Sequence, residues 1–159
     1  MPVRIIEGDL DNPQVIELLG VHLRAAWSNT ACGSAHALDV NGLRAPEIDF
    51  CALWDGEELL GIGALKTISP DHGEVKSMHV AQSRRRRGAG SILLKHLVGK
   101  AREKGLRRLS LETGARDYFR PARALYRKHG FCECPPFGDY RPDSNSVFLS
   151  LDLAAECSR

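Results

Sequence analysis

The sequence contains no apolar stretch long enough to cross a membrane. A membrane-spanning helix needs about 18 to 20 consecutive apolar residues, and charged or polar side chains interrupt every apolar run here before that length. Residues 1–6 include Arg4 and begin no long apolar segment, so we expect no secretory signal. These absences predict a protein of the cytoplasm that does not associate with membranes.

Aromatic residues are scarce, at 6% of the chain, and repeats, low-complexity tracts and linkers are absent. Nucleic acids are commonly bound by aromatic stacking platforms or by motifs such as helix-turn-helix, and neither is evident. The composition therefore gives little support to nucleic-acid binding. With 43% hydrophobic and 26% charged residues among 159, it is typical of a globular protein. We expect a single domain spanning residues 1–159.

The five cysteines form no recognisable disulfide or metal framework. An odd number of cysteines without a signal for export indicates reduced thiols. Cys132 and Cys134 are separated by one residue, but no second Cys/His pair has a spacing that would complete a zinc site. We therefore predict unlinked thiols and no bound metal.

Positive charge is concentrated in one part of the chain. Residues 84–108 hold ten basic side chains and the single acid Glu103, whereas the rest of the chain has an excess of acids. Four consecutive arginines, Arg84 to Arg87, begin this window. A basic part beside an acidic remainder predicts a polyanionic ligand on the basic side.

Hydrophobic periodicity predicts an alternation of strands and helices. Strands are expected at 3–6, 48–54, 59–68, 74–80, 106–112, 131–134 and 146–153, and helices beginning near Pro13, Ala89 and Pro121. Asp11 or Asn12 is expected to cap the first helix and Gly130 to end the last. The expected apolar face of the first helix is Val15, Ile16, Leu19, Leu23 and Ala26. Residues 28–46 are polar and predict a long loop with a short helix around 36–39. The order β-α-β-β-β-α-β-α-β-β predicts an α/β (α+β) fold, a mixed sheet with helices on its faces.

The arginine run leads into Gly88-Ala89-Gly90, between a predicted strand and a predicted helix. A helix N-terminus leaves backbone N–H groups without partners, and glycines there let a phosphate approach closely. The backbone of residues 86–91 therefore predicts an anion cradle, to which the preceding arginines add charge. The turn is not a Walker loop, since no Gly-Lys-Ser/Thr follows, and it lacks the third glycine of a dinucleotide fingerprint.

A second motif narrows the interpretation of this turn, which alone would also fit a nucleic-acid patch or a solvated run of charge. Arg85-Arg86-Arg87-Gly88-Ala89-Gly90 matches the Arg/Gln-x-x-Gly-x-Gly/Ala motif of the GNAT superfamily of N-acetyltransferases. Downstream, Ala122-x-x-Leu125-Tyr126-x-x-x-Gly130-Phe131 matches its second signature. The chain resembles this superfamily, and more narrowly the YsnE-type bacterial acetyltransferases, nearly end to end.

The resemblance implies a GNAT-like, mostly antiparallel sheet of about seven strands, in which the fourth and fifth strands splay apart. It also implies acetyl-CoA as cosubstrate, without a metal. The implied contacts to it are Met78, His79, Val80, Arg85, Arg86, Arg87, Gly88, Ala89, Gly90, Ser91 and Tyr126. One residue departs from the pattern: Phe119 stands where many members carry an asparagine that contacts the pantetheine arm.

The resemblance implies two catalytic groups. Tyr126 matches the tyrosine that protonates the leaving thiolate, and Glu74 lies where some members carry a catalytic base. His79, or a water chain ending on Glu112 or Asp39, are the alternatives for the base.

The expected acceptor is a primary amine on a small molecule, acetylated by direct transfer in a ternary complex. Polar residues of the long loop and of segment 136–146 are the predicted substrate contacts: His36, Asp39, Asp139 and Tyr140. A protein or peptide acceptor and a coenzyme A-sensing module without turnover are the alternatives. The sequence leaves open whether the protein forms a homodimer.

Overall fold

A seven-stranded sheet forms the centre of the protein, in a computed structural model that describes residues 3–30, 37–81 and 88–154. The strands are β1 (Val3–Glu7), β2 (Ile48–Asp55), β3 (Glu58–Ser69), β4 (His72–Val80), β5 (Arg108–Gly114), β6 (Cys132–Glu133) and β7 (Ser146–Asp152). The helices are α1 (Pro13–Ser28), α2 (Val40–Leu43), α3 (Ala89–Glu103) and α4 (Arg120–Lys128), which a 3₁₀ turn at Asp117–Phe119 precedes. None of the helices in these ranges is long and apolar enough to cross a membrane.

The sheet is mixed, in the order β1-β2-β3-β4-β5-β7-β6. Neighbouring strands are antiparallel except for β4 and β5, which run parallel. Parallel neighbours need a crossover connection, and α3 provides it. This confirms the predicted α/β (α+β) class, with a mostly antiparallel sheet flanked by helices.

Helices cover both faces of the sheet. Side chains alternate along β2, so that Cys51 and Leu53 belong to the core beneath α3, while Ala52 and Trp54 belong to the core beneath α1. Helix α3 buries Ala89, Leu93, Leu94, Leu97, Val98 and Ala101, and α1 buries Val15, Leu18 and Leu19. Because each fully buried leucine contributes about 1.5–3 kcal/mol, these two stripes fix both helices on the sheet.

The helix ends follow the predicted signals. Asn12 caps α1, because its side chain accepts a hydrogen bond from the backbone N–H of Gln14 at 2.9 Å. Gly130 follows the end of α4 at φ +97°, a left-handed conformation that favours glycine. The predicted apolar face of α1 was wrong at Ile16, which is 44% exposed, since Leu18 faces the core instead.

The short helix of the long loop begins later than predicted. Asp39 precedes α2 and caps it, accepting a hydrogen bond from the backbone N–H of Gly42 at 2.8 Å. Its buried Leu43 anchors this helix in the core beneath α1. The helix expected around 36–39 therefore lies at 40–43, because the aspartate forms its cap and not its first turn.

Candidate active site

Strands β4 and β5 pair at one end only and then separate. The pairing joins His72 to Arg108, Gly73 to Leu109 and Glu74 to Ser110. Beyond Glu74 the strands diverge, which confirms the predicted splay of the fourth and fifth strands. The gap belongs to a cavity of about 490 Å³, which is also lined by residues of α1, α3 and α4. This volume is typical of a small-molecule or cofactor site.

A β-bulge at Ser77 shapes the β4 wall of the cavity. Ser77 has a φ of +54°, uncommon for a residue with a side chain. Lys76 pairs with Ala64 and His79 pairs with Ile62, so β4 has one residue more than β3 over this stretch. Bulges redirect successive side chains and are frequent beside active sites. After this one, Met78 packs against the core beneath α3, whereas the ring of His79 contacts α1.

Helix α3 begins at the cavity, and no described side chain caps it. Gly88 is the N-cap residue, at φ +76°, and a Cβ there would meet no atom of the described residues within 4 Å. Among these residues nothing therefore blocks an anion from the first-turn N–H groups of Ala89, Gly90 and Ser91, an arrangement suited to an anion. Gly88, Gly90 and Ser91 line the cavity, and Ala89 is buried. The predicted contacts Arg85, Arg86 and Arg87 lie outside the described residues.

The two sequence motifs pack directly on each other. A Cβ at Gly90 would lie 2.9 Å from Cδ2 of Leu125, so glycine permits the close approach of α3 and α4. Oγ of Ser91 lies 3.0 Å from Nε2 of His129, just beyond the end of α4. The second signature thus borders the anion-binding helix end that the first signature predicts.

Tyr126 of α4 lines the cavity with a buried phenol. The residue is 7% exposed, and its ring packs edge to face on Phe131 with centroids 5.9 Å apart. Burial, with a further contribution from the negative charge of Glu112, raises the pKa of Tyr126 above its usual range. The hydroxyl therefore keeps its proton at neutral pH, as a proton donor must.

Glu74 belongs to a partly buried hydrogen-bond chain between β4 and the segment after β6. The residue is 4% exposed. The Tyr140 hydroxyl donates to Oε2 of Glu74 at 2.5 Å, and Nζ of Lys76 donates to the Tyr140 oxygen at 3.0 Å. Burial and then the charge of Glu74 raise the pKa of Tyr140, so this hydroxyl also stays protonated. All three residues line the cavity.

Two histidines meet on the same wall of the cavity. Nδ1 of His22 in α1 lies 3.1 Å from Nδ1 of His79 in β4, and the rings are arranged edge to face. Burial, and then the positive charge of Lys76, lower the pKa of His22 to about 4. His22 is therefore neutral at pH 7, and its Nδ1 can donate to or accept from His79 according to the tautomer.

Phe119, at the position of the family's asparagine, packs over the end of β5. A Cβ at Gly114 would lie 2.1 Å from the Phe119 ring, so only glycine fits beneath it. Nη1 of Arg123 donates to the carbonyl oxygens of Gly114 at 2.7 Å and Arg116 at 2.9 Å, which fixes the intervening turn. An aromatic ring thus lines the cavity here in place of an amide.

The predicted substrate residues are dispersed. Tyr140 lines the cavity, whereas Asp39 caps α2 and Asp139 is exposed away from the cavity lining. His36 lies outside the described residues. The described geometry therefore brings Tyr140, but neither aspartate, to the cavity that contains Glu74 and Tyr126.

Two further residues that line the cavity, His22 and Lys76, were not predicted from the sequence. His22 lies three positions after the buried Leu19, on the same helical face, and Lys76 lies two positions after Glu74 in a strand. Both spacings were signals that could have identified these residues. The bulge at Ser77 and the approach of Tyr140 depend on tertiary packing, which leaves no comparable local pattern.

A group of potential metal ligands lies away from this cavity. Glu7, Cys51 and His96 place one ligand atom each within 4.8 Å of one another. The Glu7 carboxylate contacts Nε2 of His96 at 2.7 Å and Nζ of Lys100 at 2.6 Å. Burial, with the charge of Glu7, raises the pKa of the Cys51 thiol to about 12. Lys100 already supplies the positive charge at this carboxylate, and the expectation of no metal stays a prediction.

Known proteins resemble the chain along nearly all of its length. Residues 14–131 match the model of the acetyltransferase (GNAT) family. The chain is 47% identical over 145 residues to the uncharacterised N-acetyltransferase YedL of Escherichia coli K12, covering 91% of each protein. It is 45% identical over 145 residues to the uncharacterised N-acetyltransferase YsnE of Bacillus subtilis 168, covering 91% of this chain and 96% of YsnE.

The fold is also shared with solved structures. A crystal structure of a Bacillus subtilis acetyltransferase in complex with CoA matches 95% of this chain and 99% of its own, with a TM-score of 0.70. Its identity is 21%, so this likeness concerns the fold alone. The family match, the two relatives and the splayed sheet all indicate the same family. The chain belongs to the GNAT family of acetyltransferases and is an N-acetyltransferase.

Proposed function

We propose that the protein transfers an acetyl group from acetyl-CoA to a primary amine of a small molecule, within a ternary complex. The observation that carries this proposal is one cavity that holds an uncapped helix end, a buried carboxylate and a buried phenol. No cysteine is among the described residues that line it, which favours direct transfer over an acyl-cysteine intermediate. One sheet draws strands from Val3 to Asp152, which supports a single N-acetyltransferase domain over 1–159.

The donor end of the proposed site is the start of α3. A phosphate fits beside Gly88, because no atom of the described residues lies within 4 Å of an added Cβ and the neighbouring N–H groups form the positive end of the helix dipole. The edge of β4 from Met78 to Val80 borders the gap where β5 has diverged. Such an edge can pair with the amide groups of a pantetheine arm as a strand would. The fold neighbour from Bacillus subtilis holds CoA, which supports this choice of cosubstrate.

The chemistry of transfer needs a proton acceptor, an oxyanion stabiliser and a proton donor. When bound, acetyl-CoA supplies the acetyl group as a thioester. In the proposal, Glu74 takes the proton of the acceptor's ammonium group, and the neutral amine attacks the thioester carbonyl, which a backbone N–H near Val80 polarises. As the C–N bond forms and the C–S bond breaks, the phenol of Tyr126, protonated at neutral pH, gives its proton to the leaving sulfur and regains one from the new amide nitrogen. His79 is the alternative proton acceptor, since His22 orients its ring.

The described lining of the cavity as a whole favours an acceptor amine with one charge and a mainly apolar body. Among the described lining residues, the carboxylates of Glu74 and Glu112 are balanced by the ammonium groups of Lys76 and Lys128. Tyr118 and Phe119 add aromatic surface. A site without net negative charge gives no special attraction to a polycation. Glu74 and Tyr126 are both buried and both line the cavity. Together they offer a proton acceptor and a proton donor, which favours catalytic turnover over coenzyme A sensing alone.

Turnover of acetyl-CoA against an amine panel tests the proposal. The panel holds aromatic and aliphatic monoamines, amino acids, polyamines and peptides, and CoA release and product mass are followed together. We expect a singly acetylated small molecule formed in a one-to-one ratio with CoA. Acetylation of peptides alone would indicate a protein acceptor. Binding of acetyl-CoA without any acetylated product would indicate a sensing module. A failure to bind acetyl-CoA would overturn the cosubstrate itself.

A further inference from the structure

Two donors converge on one oxygen of the Glu74 carboxylate. The Tyr140 hydroxyl lies 2.5 Å from Oε2, and Nζ of Lys76 lies 3.4 Å from the same atom. Lys76 also donates to the Tyr140 oxygen at 3.0 Å, so the three groups close a ring of contacts. Because Oε2 is held from two directions, the carboxylate has little freedom to rotate.

Glu74 is buried, and its partners Lys76 and Tyr140 are partly buried. The side chain of Glu74 is 5% exposed and that of Lys76 is 10% exposed. Burial favours the protonated form of a carboxylate, whereas a hydrogen-bond donor and a neighbouring cation favour the ionised form. Tyr140 supplies the first and Lys76 the second. A hydrogen-bond donor and a cation therefore contact the same oxygen of a buried carboxylate.

Tyr140 is itself fixed by aromatic packing. Its ring lies edge to face on Phe137, with centroids 5.1 Å apart, and against Phe148 of β7 at 5.5 Å. The backbone N–H of Tyr140 donates to the carbonyl of Phe137 at 3.1 Å, which closes a tight turn. The hydroxyl is thus delivered to Glu74 by a segment anchored on the sheet.

We infer that Lys76 and Tyr140 are positioning residues that hold the carboxylate of Glu74 in one orientation for proton transfer from the acceptor amine. The inference rests on the proposed function, in which Glu74 is the proton acceptor. Neither residue needs to touch the reacting atoms. Both act through Glu74, and this distinguishes them from residues that only shape the cavity.

Three other titratable groups interact with Glu74, Lys76 or Tyr140. His72 on β4 interacts electrostatically with Glu74, and Glu112 on β5 acts on Tyr140. His22 on α1 interacts with the charge of Lys76. Substitutions at Tyr140 and Lys76 leave all three in place, so a change common to both variants reports on Glu74.

The pH dependence of kcat/KM tests the inference, with Tyr140→Phe and Lys76→Met as variants. A carboxylate that loses a donor or a cationic neighbour takes up protons more readily, so we expect the acid limb to move up by about one pH unit in each. We expect kcat near neutrality to fall by about tenfold or more, with unchanged acetyl-CoA affinity. Lys76→Arg keeps the positive charge, so its acid limb should lie closer to the wild-type position than that of Lys76→Met. Lys95→Met, on the exposed side of α3, is the matched control.

Glu74→Gln separates the possible failures. If Glu74→Gln loses activity while Tyr140→Phe and Lys76→Met keep the wild-type acid limb, the positioning role is wrong and the role of Glu74 stands. If Glu74→Gln keeps the wild-type rate, the proposed proton acceptor is wrong and the inference fails with it. Should Tyr140→Phe not fold, as judged by circular dichroism and acetyl-CoA binding, the acid limb of Lys76→Met decides.

Discussion

The hydroxyl of Tyr140 lies 2.5 Å from Oε2 of Glu74, a residue 66 positions earlier in the chain. This contact joins the segment between β6 and β7 to the strand on which the splay begins. Because Lys76 contacts the same oxygen, the carboxylate that could attract an acceptor amine is already paired with a cation. The described lining of the cavity therefore carries no net charge.

That neutrality predicts a preference among acceptors. We expect monoamines to be acetylated with a kcat/KM at least about tenfold above that of triamines or tetraamines of similar length, since each additional ammonium group is desolvated without a carboxylate partner. Initial rates with matched monoamines and polyamines measure this ratio. A polyamine preferred over every monoamine would contradict the charge balance read from the lining residues.

Substitution of Gly88 tests the anion site at the start of α3. In Gly88→Glu a carboxylate enters the space expected to hold phosphates, so we expect the Kd for acetyl-CoA to rise by about a hundredfold or more, or about 2.7 kcal/mol. Isothermal titration calorimetry on the folded variant measures the change.

Gly56 provides the matched control for this substitution. It lies in the β2–β3 hairpin at φ +61°, with nothing within 4 Å of an added Cβ, so its backbone geometry resembles that of Gly88. Gly56→Glu should therefore show similar backbone strain but keep wild-type affinity for acetyl-CoA. Equal acetyl-CoA affinity in both variants would show that the start of α3 does not bind the phosphates.

Removal of the Tyr126 hydroxyl tests the proton donor. We expect Tyr126→Phe to lower kcat by about 10²–10⁴-fold, the usual contribution of general acid catalysis, and to leave acetyl-CoA affinity nearly unchanged, because the ring still packs on Phe131. Tyr118→Phe removes a hydroxyl from a more exposed ring and should change kcat little. A Tyr126→Phe enzyme with the wild-type rate would show that another group protonates the leaving sulfur.

The buried His22 predicts an acid-sensitive stability. Its pKa is about 4 in the folded protein, against about 6.5 for an unperturbed histidine. Between these values the unfolded chain binds more protons, so this group lowers stability as pH falls, by at most about 1.4 kcal/mol per pH unit. Urea unfolding across this range should give a shallower pH slope for His22→Asn than for the wild type. The same slope in both would show that His22 is not the group responsible.

Much of the fold could be predicted because its signals are local. Apolar spacing identified α3, Asn12 and Gly130 marked helix ends, and the order of elements implied a mixed sheet. Ile16 was misassigned, since periodicity alone does not fix which edge of an amphipathic stripe faces the core. The short helix was expected too early because an aspartate at a cap and one inside a first turn look alike in sequence.

Prediction of the site rested mainly on the two motifs and on positions shared with the family. Gly88, Gly90 and Tyr126 belong to motifs and line the cavity, but Lys76 and His22 belong to none. Their roles arise from contacts with Tyr140 and His79, which are 64 and 57 positions away. The left-handed Ser77 had no signal either, because a serine gives no indication of positive φ.

The most direct test of the account measures acetyl transfer with wild-type protein and Glu74→Gln side by side. Initial rates are taken against both acetyl-CoA and the best amine of the panel, with the product identified by mass. We expect intersecting double-reciprocal lines, one acetylated product per CoA released, and a kcat at least about a hundredfold lower in Glu74→Gln with unchanged acetyl-CoA affinity. Parallel lines, or a Glu74→Gln enzyme as fast as the wild type, would contradict the proposed mechanism.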